Sequence, residues 1–184
     1  MRFDTQAQWE RWLKRNHAGE KEVWLEIAKK AASFVTVTYP EAVESALCYG
    51  WIDSQMRSGG PEFVLQRFTP RGPRSKWSRL NTENASRLID TGRMTPAGMK
   101  AIEDAKASGR WDAAYEPPST AVVPNDLERA LKRNAKAKKA FAGLDGRNRY
   151  AILHRIADAK KDETRARRIE KLVEMLSKGE KIYP

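Results

Sequence analysis

The sequence predicts an α+β fold: a small, largely antiparallel sheet of about four strands with helices, followed by an all-helical C-terminal region. Three observations lead there. Alternation of apolar and polar residues, the strand signature, is confined to residues 22–69 and comes in pairs of short runs, as hairpins do. From about residue 125 onward the apolar residues recur with the helical period. Between these regions lies "AAYEPPSTAVVP", with three prolines between 117 and 124. The expected organisation is an α+β domain at 1–116, a Pro-rich linker at 117–124 and a helical domain at 125–184.

Taken in order, Asp4 is placed to cap a helix reaching Asn16, with Trp9, Trp12 and Leu13 as its apolar edge. "EVWLEIAKK" alternates Val23, Leu25 and Ile27 against Trp24, Glu26 and Ala28, and "SFVTVT" alternates Val35 and Val37 against Thr36 and Thr38, so both read as strands. In "TYPE", Thr38 and Glu41 make a capping box, with Pro40 tolerated in the first turn of a helix that Gly50 ends. "WIDSQMR" and "FVLQRFT" are two strands joined through "SGGP". Ser78 caps a helix to Asp90, and Thr95 caps another with Pro96 at its first position. In the C-terminal region Asn125 and Glu128 form an N-capping pattern. Ile169, Leu172, Val173 and Leu176 make the clearest amphipathic stripe of the chain, which is expected to dock the helical region on the rest of the protein.

The composition allows a real core, with 40% apolar residues and six tryptophans. The net charge is +11, and residues 121–184 hold 17 basic and 9 acidic residues, so the excess sits mostly in the C-terminal third. A basic chain suits an anionic partner such as nucleic acid or a phosphorylated metabolite. The lone cysteine, Cys48, lies on an apolar helical pattern and reads as a buried thiol, with no intramolecular disulfide available. The N-terminal segment has no apolar core of signal-peptide length, and no run approaches the roughly 20 apolar residues of a membrane span, so a cytoplasmic protein is expected. No Gly-rich phosphate loop, nucleophile elbow or dinucleotide fingerprint occurs, and two histidines and one cysteine far apart show no zinc spacing. No cofactor or metal is expected.

The candidate site is "RFTPRGPRSKWSRLN", residues 67–81, with five basic residues and no acid. Its prolines hold Arg71 and Arg74 on a stiff extended segment, and Ser78 opens a helix whose first N–H groups attract anions. Arg67, Arg71, Arg74 and Lys76 are therefore candidate ligands for a phosphate or carboxylate, with Trp77 as a stacking face for a base or sugar. On the preceding strand Trp51, Asp53 and Gln55 share one face, while Ile52 and Met56 on the other are expected to meet the core. A register that pairs Asp53 with Arg67 is favoured by their charges. The competing reading makes the tryptophans core and the arginines surface charge. For catalysis the sequence offers only Asp53 with His17, a residue type suited to a general base but also to the role of a helix C-terminal cation.

"WLKRNHAGEKEVWLEIAKK", "YPEAVESALCYGWIDSQ", "QRFTPRGPRSKWSRLN", "GRMTPAGMKAIEDAKASGRW" and "AKKDETRARRIEKLVEML" together resemble the bacterial YdeI/OmpD-associated (OmdA, bacteriocin-protection) family over nearly the whole chain. The last segment resembles the family's C-terminal OmdA domain. Ser54 departs from the glycine expected in "GWIDG". The resemblance implies a stress- or resistance-related role without specifying a mechanism. Two functions follow as expectations: a cytoplasmic binding protein for a small anionic or phosphate-bearing ligand, or a nonspecific nucleic-acid-binding protein using basic helices at 129–139 and 147–168. A small-molecule enzyme built on Asp53 and His17 is the third.

Overall fold

Trp9 and Leu13, one helical turn apart, are both fully buried, and they seat the first helix against the sheet. The structure, a computed structural model, describes residues 1–117 and 120–184. It divides into two units, Met1–Ala114 and Tyr115–Pro184. Residues 118 and 119 of the Pro-rich stretch lie outside the described residues.

The first unit begins with α1 (Gln6–Asn16). Its cap is Thr5 rather than Asp4: the Thr5 hydroxyl accepts from the Gln8 N–H, while the Asp4 N–H donates to the Gln8 side chain at 2.7 Å. β1 (Val23–Ala28), β2 (Trp51–Ser58) and β3 (Phe63–Pro70) form one antiparallel sheet in the order β1-β3-β2. The sheet has three strands, because "SFVTVT" does not join it. That segment finds its hydrogen bonds elsewhere. The Val37 N–H donates to the Phe3 carbonyl at 2.8 Å, and the Ala28 N–H donates to the Thr36 hydroxyl at 2.9 Å. Val37 is buried while Val35 is 74% exposed, so the two do not share a face as strand neighbours would.

α2 (Tyr39–Cys48) starts with the predicted capping box, in which Thr38 and Glu41 satisfy each other's backbone N–H groups. These bonds to Thr38 hold the Glu41 carboxyl below its ordinary range. α3 (Arg79–Asp90) and α4 (Pro96–Ala107) start at Ser78 and Thr95, as predicted. The start of α4 meets the end of α2 at the Cys48 carbonyl, which accepts from both the N–H and the hydroxyl of Thr95. A Cβ on Gly98 would stand 2.4 Å from that same oxygen, so this approach requires glycine. Two apolar clusters result. One joins α1, the sheet and α2. The other joins the end of α2 to Trp77, α3 and α4.

The second unit is α5 (Asn125–Lys132), α6 (Ala135–Ala142), α7 (Gly146–Ala157) and α8 (Asp162–Ser177). Asn125 is the first residue of α5 and not its cap. Pro124 holds the cap position without a side-chain bond, and the Leu127 N–H is met by the Asp126 carboxylate at 2.9 Å. Asp126 also receives the Nε and an N–H of Arg165, which hold its carboxyl below the ordinary range. The stripe on α8 is satisfied inside this unit: Ile169, Leu172 and Leu176 are buried in one cluster with Leu127, Phe141 and Ile152. Among the described residues no helix is long and apolar enough to cross a membrane.

Candidate functional site

The basic segment leaves the sheet at Pro70. The Arg71 N–H donates to the Gly50 carbonyl at 2.9 Å, which ties the exit to the turn between α2 and β2. Gly72 and Ser75 then close a tight turn. The Ser75 N–H donates to the Gly72 carbonyl, and the Gly72 N–H donates to the Ser75 hydroxyl, each at 3.0 Å. Arg110 donates to the Ser75 carbonyl at 3.2 Å from the end of α4. The loop is thus a braced structure and not a solvated linker.

Its side chains divide into two groups. The Arg71 guanidinium lies 3.6 Å over the Trp77 ring and donates to the Lys76 carbonyl at 3.1 Å. Trp77 is only 2% exposed and tilts against Trp111 at 5.0 Å between ring centroids. It is a core residue whose face is already covered by Arg71, so the expected open stacking face for a base is absent at this ring. Arg74, Lys76 and Arg79 are exposed at the start of α3. The Ser78 hydroxyl accepts from the Asn81 N–H at 3.2 Å and is engaged as the helix cap.

The strand residues fall differently from expectation. Asp53 stands opposite Phe68 and not Arg67. A register shift between Asp53 and Met56 breaks the two-residue alternation, so Trp51, Asp53 and Gln55 do not present one face. Trp51 is buried in the core, with its indole N–H donating to the His17 carbonyl at 3.2 Å, while Met56 is 67% exposed, the reverse of the predicted facing. Gln55 is exposed, and its carbonyl accepts from the buried Gln66 side chain at 3.2 Å. Arg67 turns to Glu22, just before β1, and donates to one carboxylate oxygen through two nitrogens. This bond holds the Glu22 carboxyl below its ordinary range. Asp53 accepts from the Tyr39 hydroxyl at 2.8 Å.

His17 closes α1. Its ring Nδ1–H donates to the Leu13 carbonyl at 2.9 Å, and the ring packs on Tyr49. Asp53 and His17 therefore have separate partners. Cys48 is buried, and desolvation pushes its thiol up to about 11, so it stays protonated at neutral pH. Among the described residues no group of three or more His, Cys, Asp and Glu side chains is placed to hold a metal ion.

A concave feature of the second unit was not legible in the sequence. In the second unit a groove of 490 Å³ runs along α7, with Tyr115 and Tyr183 among its lining residues. The only sequence signal for it is the helical spacing of Arg147, Tyr150, His154 and Arg155. Tyr115 and Tyr183 lie too far away in the chain to be associated with them by pattern.

Fold and charge define a basic, two-unit protein, α+β in its first unit and all-helical in its second. Residues 1–101, more than half of the chain, match the family described as a domain of unknown function (DUF8412), and the chain belongs to it. Residues 120–179 match the family described as Bacteriocin-protection, YdeI or OmpD-Associated (OmdA), so the helical unit carries an OmdA domain. The resemblance read across nearly the whole sequence is thus matched by the OmdA family over the helical unit alone. No curated protein and no solved structure matches the chain.

Proposed function

We propose that this is a cytoplasmic binding protein for a small anionic, phosphate-bearing ligand, taken by the loop at 71–79. One observation carries the reading. The turn braced by Gly72, Ser75 and Arg110 fixes the backbone, while Arg74 and Lys76 stand exposed beside the start of α3, with no acid between residues 67 and 81. A fixed backbone lowers the ordering cost of binding, and guanidinium groups suit phosphate.

Thermal unfolding with and without inorganic phosphate tests this. Phosphate should raise the midpoint of the wild type. Arg74→Ala should lose about 1–3 kcal/mol of phosphate affinity, as expected for a charged hydrogen bond, with its unfolding in buffer unchanged. Failure of phosphate or any phosphate-bearing ligand to stabilise the wild type would make the arginines plain surface charge.

The charge of the helical unit favours a second reading, electrostatic contact with nucleic acid: residues 115–184 hold 17 basic and 10 acidic residues. Such binding releases counterions and must weaken steeply as salt rises. Affinity for one DNA sequence far above others, insensitive to salt, would remove it.

A further inference from the structure

We propose that the groove along α7 is a separate binding site for a planar ring joined to an anionic group, in chemical terms a nucleotide. This goes beyond the loop at 71–79, shares no residue with it and stands on different observations.

The rings come first. Tyr115, Tyr150, His154 and Tyr183 all line the groove or its floor, and all four are half-buried. None belongs to the apolar core of the unit, which is built from leucines, isoleucines, Ala137 and Phe141. Tyr115, Tyr150 and His154 pack on one another instead, and Tyr183 carries the Arg147 guanidinium. The His154 ring meets Tyr115 edge-on at 5.3 Å and Tyr150 at 5.7 Å between centroids. Rings arranged this way leave apolar surface facing the groove, and a flat apolar surface is what a nucleobase stacks on.

The walls are held in place. Tyr183, beyond the end of α8, is fixed to α7 through its backbone. The buried Asn148 side chain accepts from the Tyr183 N–H at 2.9 Å and donates to the Tyr183 carbonyl at 3.2 Å. Asp145 in turn takes the Asn148 backbone and side-chain N–H groups, which draw its carboxyl below the ordinary range and keep it an acceptor. On the other side the Tyr150 hydroxyl donates to the Glu116 carbonyl at 3.1 Å, next to Tyr115. Walls fixed before binding lower the ordering cost for the ligand.

The charges choose the ligand. Arg147 and Arg155 line the groove, and among its described lining residues there is no carboxylate. The Arg147 guanidinium lies 4.1 Å from the centre of the Tyr183 ring. With Arg147 engaged on that ring, the exposed Arg155 is the guanidinium left to take a phosphate, bidentately as a lysine could not. The two arginines stand eight positions apart on one helix, a rise of about 12 Å, with Tyr150 and His154 between them. That length suits a ligand with a ring in the middle and an anion at one end better than a bare phosphate. The groove volume, 490 Å³, is that of a site for one small ligand, for which about 300–1,000 Å³ is usual.

The test is calorimetric titration of the full chain with adenosine 5′-monophosphate at low ionic strength, beside inorganic phosphate and a single-stranded adenine trinucleotide. The monophosphate should bind about tenfold or more tighter than phosphate, because stacking adds to the charge contact. Tyr183→Ala and Arg155→Ala should each weaken it about tenfold, whereas Arg74→Ala should leave it unchanged. Arg155 is exposed, so its variant decides the matter even if Tyr183→Ala fails to fold. If the trinucleotide binds far tighter than the monophosphate and suffers the same losses, the ring and anion come from single-stranded nucleic acid; if not, from a free nucleotide. The proposal is overturned if neither nucleotide probe binds, if phosphate binds as tightly as the monophosphate, or if Arg155→Ala binds like the wild type. Loss in Arg74→Ala alone would assign the nucleotide to the loop and remove the groove.

Discussion

Each unit stacks an arginine on an aromatic ring, and the two pairs serve different ends. In the first unit Arg71 covers Trp77 at 3.6 Å, and the indole is buried against Trp111 and the ends of α3 and α4. In the second, Arg147 covers Tyr183 at 4.1 Å on the wall of an open groove, outside the unit's apolar core. The same chemical contact therefore closes a core in one place and lines a surface in the other. What separates them is how much apolar area stands behind the ring, since burial stabilises in proportion to the area removed from water.

The largest expected effect breaks the first pair. Trp77→Ala should cost roughly 3–5 kcal/mol in denaturant unfolding, the usual cost of emptying a large buried aromatic site. Tyr183→Ala should cost well under half as much. Equal costs would show that the two pairs do the same job.

Next comes the clamp that distinguishes the second pair. Asn148→Ala should destabilise the protein by about 1–3 kcal/mol, because it leaves buried polar groups unsatisfied. Hydrogen exchange at the Tyr183 amide should then rise far more than at β3 amides. An unchanged Tyr183 amide would mean that the wall of the groove does not depend on Asn148.

The smallest effect is on acid stability. Arg165 lowers the folded-state pKa of Asp126 from an ordinary value of 3.8, so the pair's contribution is fully present above that value and is lost as pH falls through the lowered one. Asp126→Asn should remove this acid-dependent contribution, flattening the decline of stability below about pH 4. The pair is partly exposed, so the effect should be about 1 kcal/mol or less. Unfolding midpoints measured from pH 2 to 6 check it, and identical slopes in wild type and variant would contradict the coupling.

The features legible in the sequence are those set by neighbours within four residues. Thr38 with Glu41, Ser78, and Thr95 with Pro96 announce their helices because a cap bonds its own first turn. Residues 33–38 mislead for the opposite reason: alternation is a local pattern, but a strand needs a partner, and this segment bonds to Phe3 and Ala28. The Asp53–Arg67 pairing fails for a similar cause. A bulge shifts the register, and Glu22, forty-five residues from Arg67 in the chain, competes for it. Of the candidate site, the capped helix start at Ser78 could be anticipated, and Trp77 follows the competing reading as a core residue. The extended segment expected there is replaced by the tight turn from Gly72 to Ser75, because its hydrogen bonds and the brace from Arg110 are not visible in the residue pattern. The groove along α7 depends on Tyr115, Tyr150 and Tyr183 meeting from three distant positions.

The Cys48 carbonyl, shared by the N–H and hydroxyl of Thr95, has a consequence for cooperativity in the first unit. Ala42 and Ala46 of α2 belong to the cluster under the sheet, while Leu47 and Cys48 belong to the cluster around Trp77. One ten-residue helix is thus a party wall, and its last carbonyl is bolted to the start of α4. Neither cluster can open without exposing a face of the other's wall. The two cores of this unit should melt as one, with protection from exchange rising and falling together on both sides of α2.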